Sequence, residues 1–383
     1  MLIGPLKKII FFLLVCFAGI LTASAQNNFK LKYKNSAIYA GVEVGSKGVK
    51  MSVLEIGKNA RTNGSFNILQ EISVNTDFIS FTQPSFHATL TEFNKLYQTA
   101  INEYNIPSER IYTAISSGVK IQAEKEKKND WIKNLSDSFR ILINEPSRKV
   151  AVIDVIEEAR LSHLGIVPES KRYSTFLIDI GSGNTKGGYF PNGNTNDLRL
   201  FQLTWGTKSA SNEAVKRMED DKSLPGFSKQ LSRVLAGPAE TEIVYTVNVS
   251  GAYNMSDNIV VSGGIAWAVA TLLYPELIEN AVVPVTFSEI KSFTEGIVSN
   301  YQGYSDSAIV KDLTDPTLDK EIITREIKRA HQVFDQRALM SGAGLLLKIM
   351  RQFEGLTEQK QFFLVKNGQV GWISAYVADN ISK

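Results

Sequence analysis

The chain has 383 residues, too long for one ordinary core, so two domains or lobes are expected. Its hydrophobic fraction of 43% and charged fraction of 21% exclude a disordered chain. Basic and acidic residues nearly balance, at 42 against 39, which gives no reason to expect nucleic acid or an acidic membrane surface as partner.

Lys7 and Lys8 precede an apolar run over 9–21, and Thr22, Ala23, Ser24 and Ala25 offer an A-x-A cleavage site. This is the three-part pattern of a secretory signal peptide over residues 1–25, and the run is short for a membrane span. It predicts an exported protein of the periplasm or cell envelope, with no membrane span after cleavage; an uncleaved anchor is the alternative. Cys16, the single cysteine, lies inside this segment and follows Val15, which is not the pattern of a lipoprotein site. The mature chain then has no disulfide, thiol nucleophile or thiolate metal site.

After a polar tether at 26–36, residues 38–56 (IYAGVEVGSKGVKMSVLEI) read as strand, acidic residue, small turn and strand. Glu43 ends the first strand, and Gly45, Ser46, Lys47 and Gly48 form the turn. Residues 66–74 read as a third strand. Helical spacing covers 90–104 and Pro107 stops it. A short strand at 111–115 leads into Ser116, Ser117 and Gly118, and the charge run at 125–129 reads as a solvated face or turn. Residues 150–153 are strand-like. Residues 156–164 (IEEARLSHL) read as a helix, where Glu157 and Glu158 would favour the positive helix start whatever else they do.

Residues 174–190 (STFLIDIGSGNTKGGYF) repeat the strand–turn–strand device about 135 residues after its first copy. Asp179 ends the first strand. Gly181, Ser182, Gly183, Asn184 and Thr185 form the loop, and Lys186 opens the second strand. Loops of small residues let backbone N–H groups face an anion, and a carboxylate beside them suits a hydrated cation. A plain glycine hairpin is the alternative reading. Further on, 198–203 reads as strand, 211–218 and 226–235 as helices, and 259–261 as a strand running into Ser262, Gly263 and Gly264 before a helix at 266–273. That junction is a third place where helix amides meet an anion. A helix capped by Asp319 and another at 337–353 follow, and 362–376 reads as a hairpin turning at Asn367–Gly368. His87, His163 and His331 are scattered, without the spacing of a zinc site.

Strands and helices alternate throughout, so the chain is read as α/β, with a boundary just before Arg172: lobes at 26–171 and 172–383. On these motifs it resembles the exopolyphosphatase and guanosine pentaphosphatase (Ppx/GppA) family of the actin, Hsp70 and sugar-kinase superfamily. Residues 43–47 (EVGSK) are similar to the family's first phosphate loop, D-x-G-S-N. Residues 156–165 (IEEARLSHLG) resemble its E-E-A-R-L-x-x-L-G helix, and 179–186 (DIGSGNTK) its second loop, D-I-G-G-G-S-T-E. Residues 337–346 (RALMSGAGLL) look like its closing helix.

The resemblance implies a two-lobed actin-like ATPase (ribonuclease H-like) fold with a central phosphate-binding cleft. It also implies hydrolysis of terminal phosphoanhydride bonds in inorganic polyphosphate or a nucleotide polyphosphate, with Mg²⁺. Carried over by position, Glu158 is the general base and Glu157 the lesser candidate. Gly45, Ser46, Lys47, Gly181, Ser182, Gly183, Asn184, Thr185 and Lys186 bind phosphate, while Asp179 and Glu43 hold the metal. Arg160 orients a phosphate or forms a surface ion pair. Export disfavours pppGpp as substrate and favours polyphosphate. A homodimer is a further implication that no motif shows. Two departures stand out: Glu43 replaces an aspartate, and Lys186 replaces a glutamate, reversing charge where a metal would bind. They leave open a catalytically silent phosphate or nucleotide binder of the same fold.

Overall fold

A computed structural model of the protein describes residues 29–46, 48–58, 60, 66–252, 256–354, 359–366 and 371–381. The expected signal segment and Lys47 lie outside the described residues. Among those described, no helix is long and apolar enough to cross a membrane.

Two sheets carry the chain. The first joins β1 (Ala37–Val44), β2 (Gly48–Ile56), β3 (Phe66–Asn75), β4 (Ile111–Ile115) and β5 (Val150–Val152) in the order β3-β2-β1-β4-β5. The second contains β6 (Thr175–Ile180), β7 (Thr185–Tyr189), β8 (Arg199–Leu203), β9 (Asn258–Ser262), β10 (Val282–Val285) and β11 (Gln361–Val365), ordered β10-β11-β9-β6-β7-β8. Each sheet begins with a three-stranded antiparallel meander and then adds parallel strands to its first strand: β4 and β5 in one, β9 and β11 in the other. The two copies of the strand–turn–strand device are therefore the starts of two topologically matching sheets.

Helices supply the other layers. In the first half α1 (Gln83–Asn102), capped by Thr82, packs on β1 and β2; α2 (Ser117–Lys125) and α3 (Asn129–Leu142) follow. Their apolar faces bury Phe93, Tyr97, Leu135 and Phe139 in one core with Val42, Met51 and Ile115. Such burial, at about 25 cal/mol per Å² of apolar surface, is the main drive for closing each layer. The helix α4 (Val155–Ile166) links the halves, and its start is capped by the Asp154 carboxylate, which accepts from the Glu157 amide at 2.8 Å. In the second half α5 (Thr207–Lys216), α6 (Leu224–Val234), α7 (Glu240–Ser250), α8 (Gly264–Leu273), α9 (Phe287–Ser299), α10 (Asp306–Asp312), α11 (Lys320–Val333) and α12 (Gln336–Arg351) enclose a second core around Phe176, Phe201 and Ile265.

The end of the chain departs from the sequence expectation. Residues predicted as the second arm of a hairpin form α13 (Gly371–Ile381), while the expected Asn367–Gly368 turn lies outside the described residues. In GWISAYVADNI, Trp372, Ile373, Tyr376 and Val377 recur at helical spacing, and all four are buried. They pack on α4 and β1, so the last helix returns to the first sheet. A Cβ on Gly165 of α4 would sit 1.9 Å from the Gly371 carbonyl, so the crossing of these two helices requires glycine there.

Candidate functional site

The two loops close in the same way. The Gly45 amide donates to the Gly48 carbonyl at 2.8 Å, and the Gly181 amide to the Asn184 carbonyl at 2.9 Å. Across the strands Glu43 is opposite Lys50, and Asp179 is opposite Lys186. Directly opposed residues project from the same face of an antiparallel pair, so each loop presents one carboxylate beside one lysine. The second loop is further fixed from below. The Thr207 and Lys208 amides at the start of α5 donate to the Gly181 and Ser182 carbonyls at 3.0 and 2.7 Å, and the buried Thr185 hydroxyl donates to the Trp205 carbonyl at 2.7 Å.

Glu158 projects from the first turn of α4 into the space between the loops and is buried. Its Oε1 forms an ion pair with Lys186 Nζ, and its Oε2 accepts from the Ser117 amide, the first residue of α2, at 2.6 Å. Burial works against its charge, but Lys186 and Ser117 outweigh burial and hold the carboxyl below its ordinary range. Burial likewise opposes the Lys186 charge. Glu158, Asp179 and Glu43 more than offset this, so the ammonium titrates above its usual value. Lys186 thus acts on all three carboxylates, and Lys50 on two of them, Glu43 and Asp179.

The other two carboxylates are held less firmly in the charged form. Burial pushes Glu43 up to about 7; Lys50 and Lys186 oppose the shift, Glu158 adds to it, and Trp372 of α13 hydrogen-bonds the carboxyl. Burial also raises Asp179, despite Lys186, and Glu158 contributes to the rise. The Ser262 hydroxyl donates to Asp179 Oδ1 at 3.2 Å. Next to it Gly263 has φ of +98°, and a Cβ there would lie 2.2 Å from the Ile180 carbonyl. Only glycine lets β9 turn into α8 this close to the loop. All three glycine junctions noted in the sequence therefore converge.

The remaining candidates fall elsewhere or outside. Glu157 points along α4 to Arg160, which holds both its oxygens at 2.7 and 2.8 Å and also reaches Asp379 of α13 at 3.2 Å. That arrangement pins two helices together. His163 donates through Nε2 to the Thr175 carbonyl at 3.0 Å, and burial lowers it to about 4. His331 lies between the Tyr301 hydroxyl and the Tyr304 carbonyl, and His87 meets the edge of Phe86. Lys50 and Trp372 contact the site without having been singled out in the sequence, whereas Ser117 and Ser262 belong to loop starts noted there but were given no role. Lys50 alone carried a signal there, since it stands seven residues after Glu43 as Lys186 does after Asp179.

This donor set does not fit Mg²⁺. A hard divalent ion needs several oxygens free to point at one position. Here Lys186, opposite Asp179, binds Glu158 directly through Nζ, while Glu43 and Asp179 are shifted towards protonation. Among the described residues no group of three or more acidic, histidine or cysteine side chains is placed to hold a metal.

No family model matches the chain, and no curated protein sequence does. Solved structures do. The two topologically matching sheets with their helices give the fold of a two-lobed, actin-like α/β protein. Within that class the chain shares its fold with a Ppx/GppA family member from Aquifex aeolicus, at a TM-score of 0.61 and 16% identity over 91% of this chain and 98% of that one. The type II variant of the Aquifex aeolicus Ppx/GppA phosphatase gives 0.59 at 15% identity, covering 89% and 98%. An exopolyphosphatase from Cytophaga hutchinsonii gives 0.52 at 13%, covering 89% and 98%.

Proposed function

We propose that the cleft binds the terminal phosphates of inorganic polyphosphate or a nucleotide polyphosphate and hydrolyses the last phosphoanhydride bond. The observation that carries this reading is the Lys186–Glu158 pair at the meeting point of the two loops and the Gly263 junction. In this reading the incoming phosphate draws the Lys186 ammonium onto its oxygens, and Glu158 is released to align a water. The water oxygen attacks the terminal phosphorus, and the bond from phosphorus to the bridging oxygen breaks. Glu158 takes the water proton, and orthophosphate and the shortened chain leave. Phosphoryl transfer asks for little covalent help, so an aligned water and fixed positive charge suffice. Lys186 supplies as a point charge what a metal supplies in other phosphoryl-transfer sites. The leader pattern at 1–25 supports export and, with it, activity in the periplasm or cell envelope.

A second reading, binding without turnover, is favoured by one specific observation: both Glu158 oxygens are engaged, and the carboxylate is held below its ordinary pKa, which makes it a weak base. Phosphate release from tripolyphosphate by the wild-type protein and by Glu158→Gln separates the two. The hydrolase reading expects release that falls by about 10²–10⁴-fold in the variant, the usual contribution of a general base. Binding with no release from either protein supports the second reading instead.

A further inference from the structure

The second phosphate loop rests on residues 204–208, the segment between β8 and α5. The Thr185 hydroxyl donates to the Trp205 carbonyl at 2.7 Å, and the Thr207 and Lys208 amides donate to the Gly181 and Ser182 carbonyls. Between these contacts Gly206 lies directly against the loop. A Cβ on it would sit 2.6 Å from both the Asn184 nitrogen and the Gly181 carbonyl oxygen. Packed this closely, loop and platform move together, and a small displacement of the platform is passed on to the amides of 181–185.

β8 is an edge strand, and its pairing with β7 ends where Leu203 stands opposite Thr185. One residue further on, the platform is held from outside the sheet. The Glu242 carboxylate of α7 accepts from the Thr204 amide on Oε1 and from the Thr204 hydroxyl on Oε2, both at 2.7 Å. A carboxylate in the first turn of a helix is favoured by the helix dipole wherever it points. Here the two contacts fix its direction, and the backbone before it sets the course of α7. Leu235–Ala239 form a π-helical turn that contains Pro238 and has Gly237 at φ −110° and ψ −105°, outside the helical region. This kink turns the chain out of the line of α6. Lys348 of α12 then anchors the first residue of α7 by pairing with Glu240 at 2.9 Å, and α7 packs on β8.

We infer that Glu242 is a positioning residue for phosphate binding: through Thr204 it holds the platform against the second loop, so that the loop amides are aimed before a phosphate arrives. The inference rests on the phosphate-site reading above and adds to it a side chain that acts through Thr204 rather than on the phosphate. A loop left loose in the free protein has to be ordered on binding, and the cost of ordering is subtracted from affinity. Thr204 is exposed and Glu242 half-buried, so water competes for the contact and its loss weakens binding without abolishing it.

The test is calorimetric titration of the purified protein with inorganic tripolyphosphate, for the wild type, Glu242→Ala, Glu242→Gln and Glu240→Ala. Glu242→Ala should weaken binding by on the order of tenfold, the scale of one charge-assisted hydrogen bond. A glutamine can accept from the Thr204 amide and donate to its hydroxyl, so Glu242→Gln should stay within about threefold of wild type. Glu240→Ala loosens the same turn of α7 by losing the Lys348 pair, and should lower the melting temperature while leaving affinity unchanged. Melting curves check that each variant is folded. Unchanged affinity in Glu242→Ala would overturn the inference and leave the phosphate site standing. Equal weakening in Glu242→Ala and Glu240→Ala would also overturn it, because the effect would then belong to α7 as a whole. So would binding by Glu242→Gln as weak as that by Glu242→Ala, since the hydrogen bonds to Thr204 would then not be what matters. No binding of tripolyphosphate by the wild type would remove the phosphate-site reading, and this inference with it.

Discussion

Lys186 of β7 and Glu158 of α4 form an ion pair between the two halves of the chain, and this pair sets the electrostatics of the cleft. It is nearly enclosed, with the side chains 11% and 4% exposed. In such surroundings each charge depends on the other, because neither is solvated by bulk water.

Removing one partner should therefore be worse than removing both. Lys186→Ala is expected to destabilise the protein by about 3–5 kcal/mol, the usual cost of leaving a buried charge unpaired. Adding Glu158→Gln to Lys186→Ala should recover a large part of the loss, since no unpaired carboxylate then remains. Urea unfolding of the two single variants and the double variant measures the coupling. Additive losses would mean that the pair contributes nothing as a pair.

The same pair keeps a divalent ion out, so reversing its charge should admit one. Lys186→Glu places a fourth carboxyl group with Glu43, Glu158 and Asp179. Mg²⁺ should then raise the melting temperature of this variant and leave the wild type unmoved. A ligand at 100 times its dissociation constant stabilises by about 2.7 kcal/mol, which a thermal shift reads easily.

Glu55 provides a pH dependence away from the cleft. Fully buried on β2, it accepts from the Lys32 and Tyr33 amides at 2.8 and 2.7 Å, the Ser36 hydroxyl at 2.6 Å and the Asn67 side chain at 3.0 Å. Burial opposes its charge, but these four donors prevail and lower it to about 2. A carboxyl lowered on folding adds stability that is complete above its unfolded pKa and is lost as pH falls towards the folded one. The window here runs from about 4.5 down to about 2, and the full contribution is about 3 kcal/mol. Glu55→Gln should cost about that much at pH 7 and much less near pH 2.5, as measured by denaturant unfolding at both pH values. Equal losses at the two pH values would show that the charge does not matter.

Glu157 and Arg160 should act on stability and leave turnover nearly unchanged. Arg160 joins Glu157 to Asp379 and so ties α13 to α4. Pairs this close to solvent are worth about 0–1 kcal/mol, so Arg160→Ala is expected to lower stability by roughly 1 kcal/mol. Glu157→Gln should keep phosphate release within about threefold of wild type, against the 10²-fold or greater loss expected for Glu158→Gln. A loss in Glu157→Gln as large as that in Glu158→Gln would reassign the base.

Much of this site was legible because it sits on local patterns. Glu43, Asp179 and the loops after them follow from strand–glycine–strand punctuation, while Glu158 was singled out from Glu157 only by the resemblance of residues 156–165 to the E-E-A-R helix. The burial of Glu158 by Lys186 was not legible, because it joins residues 28 positions apart through the docking of α4 on β7. Trp372 was hidden for a different reason. An Asn-Gly pair flanked by apolar residues imitates a hairpin, and only the docking of α13 on α4 makes 371–381 helical. Ser117 and Ser262 were noted only as residues of small-residue junctions; their contacts with Glu158 and Asp179 come from where α2 begins and β9 ends.

The central claim is that Lys186 stands in place of a metal. It is tested most directly by phosphate release from tripolyphosphate by the wild-type protein, first in excess EDTA and then after addition of Mg²⁺. The account predicts release in EDTA, changed by Mg²⁺ less than about twofold. Release that is absent in EDTA and restored by Mg²⁺ would contradict it, because Lys186 would then have to leave the carboxylates for a metal to enter.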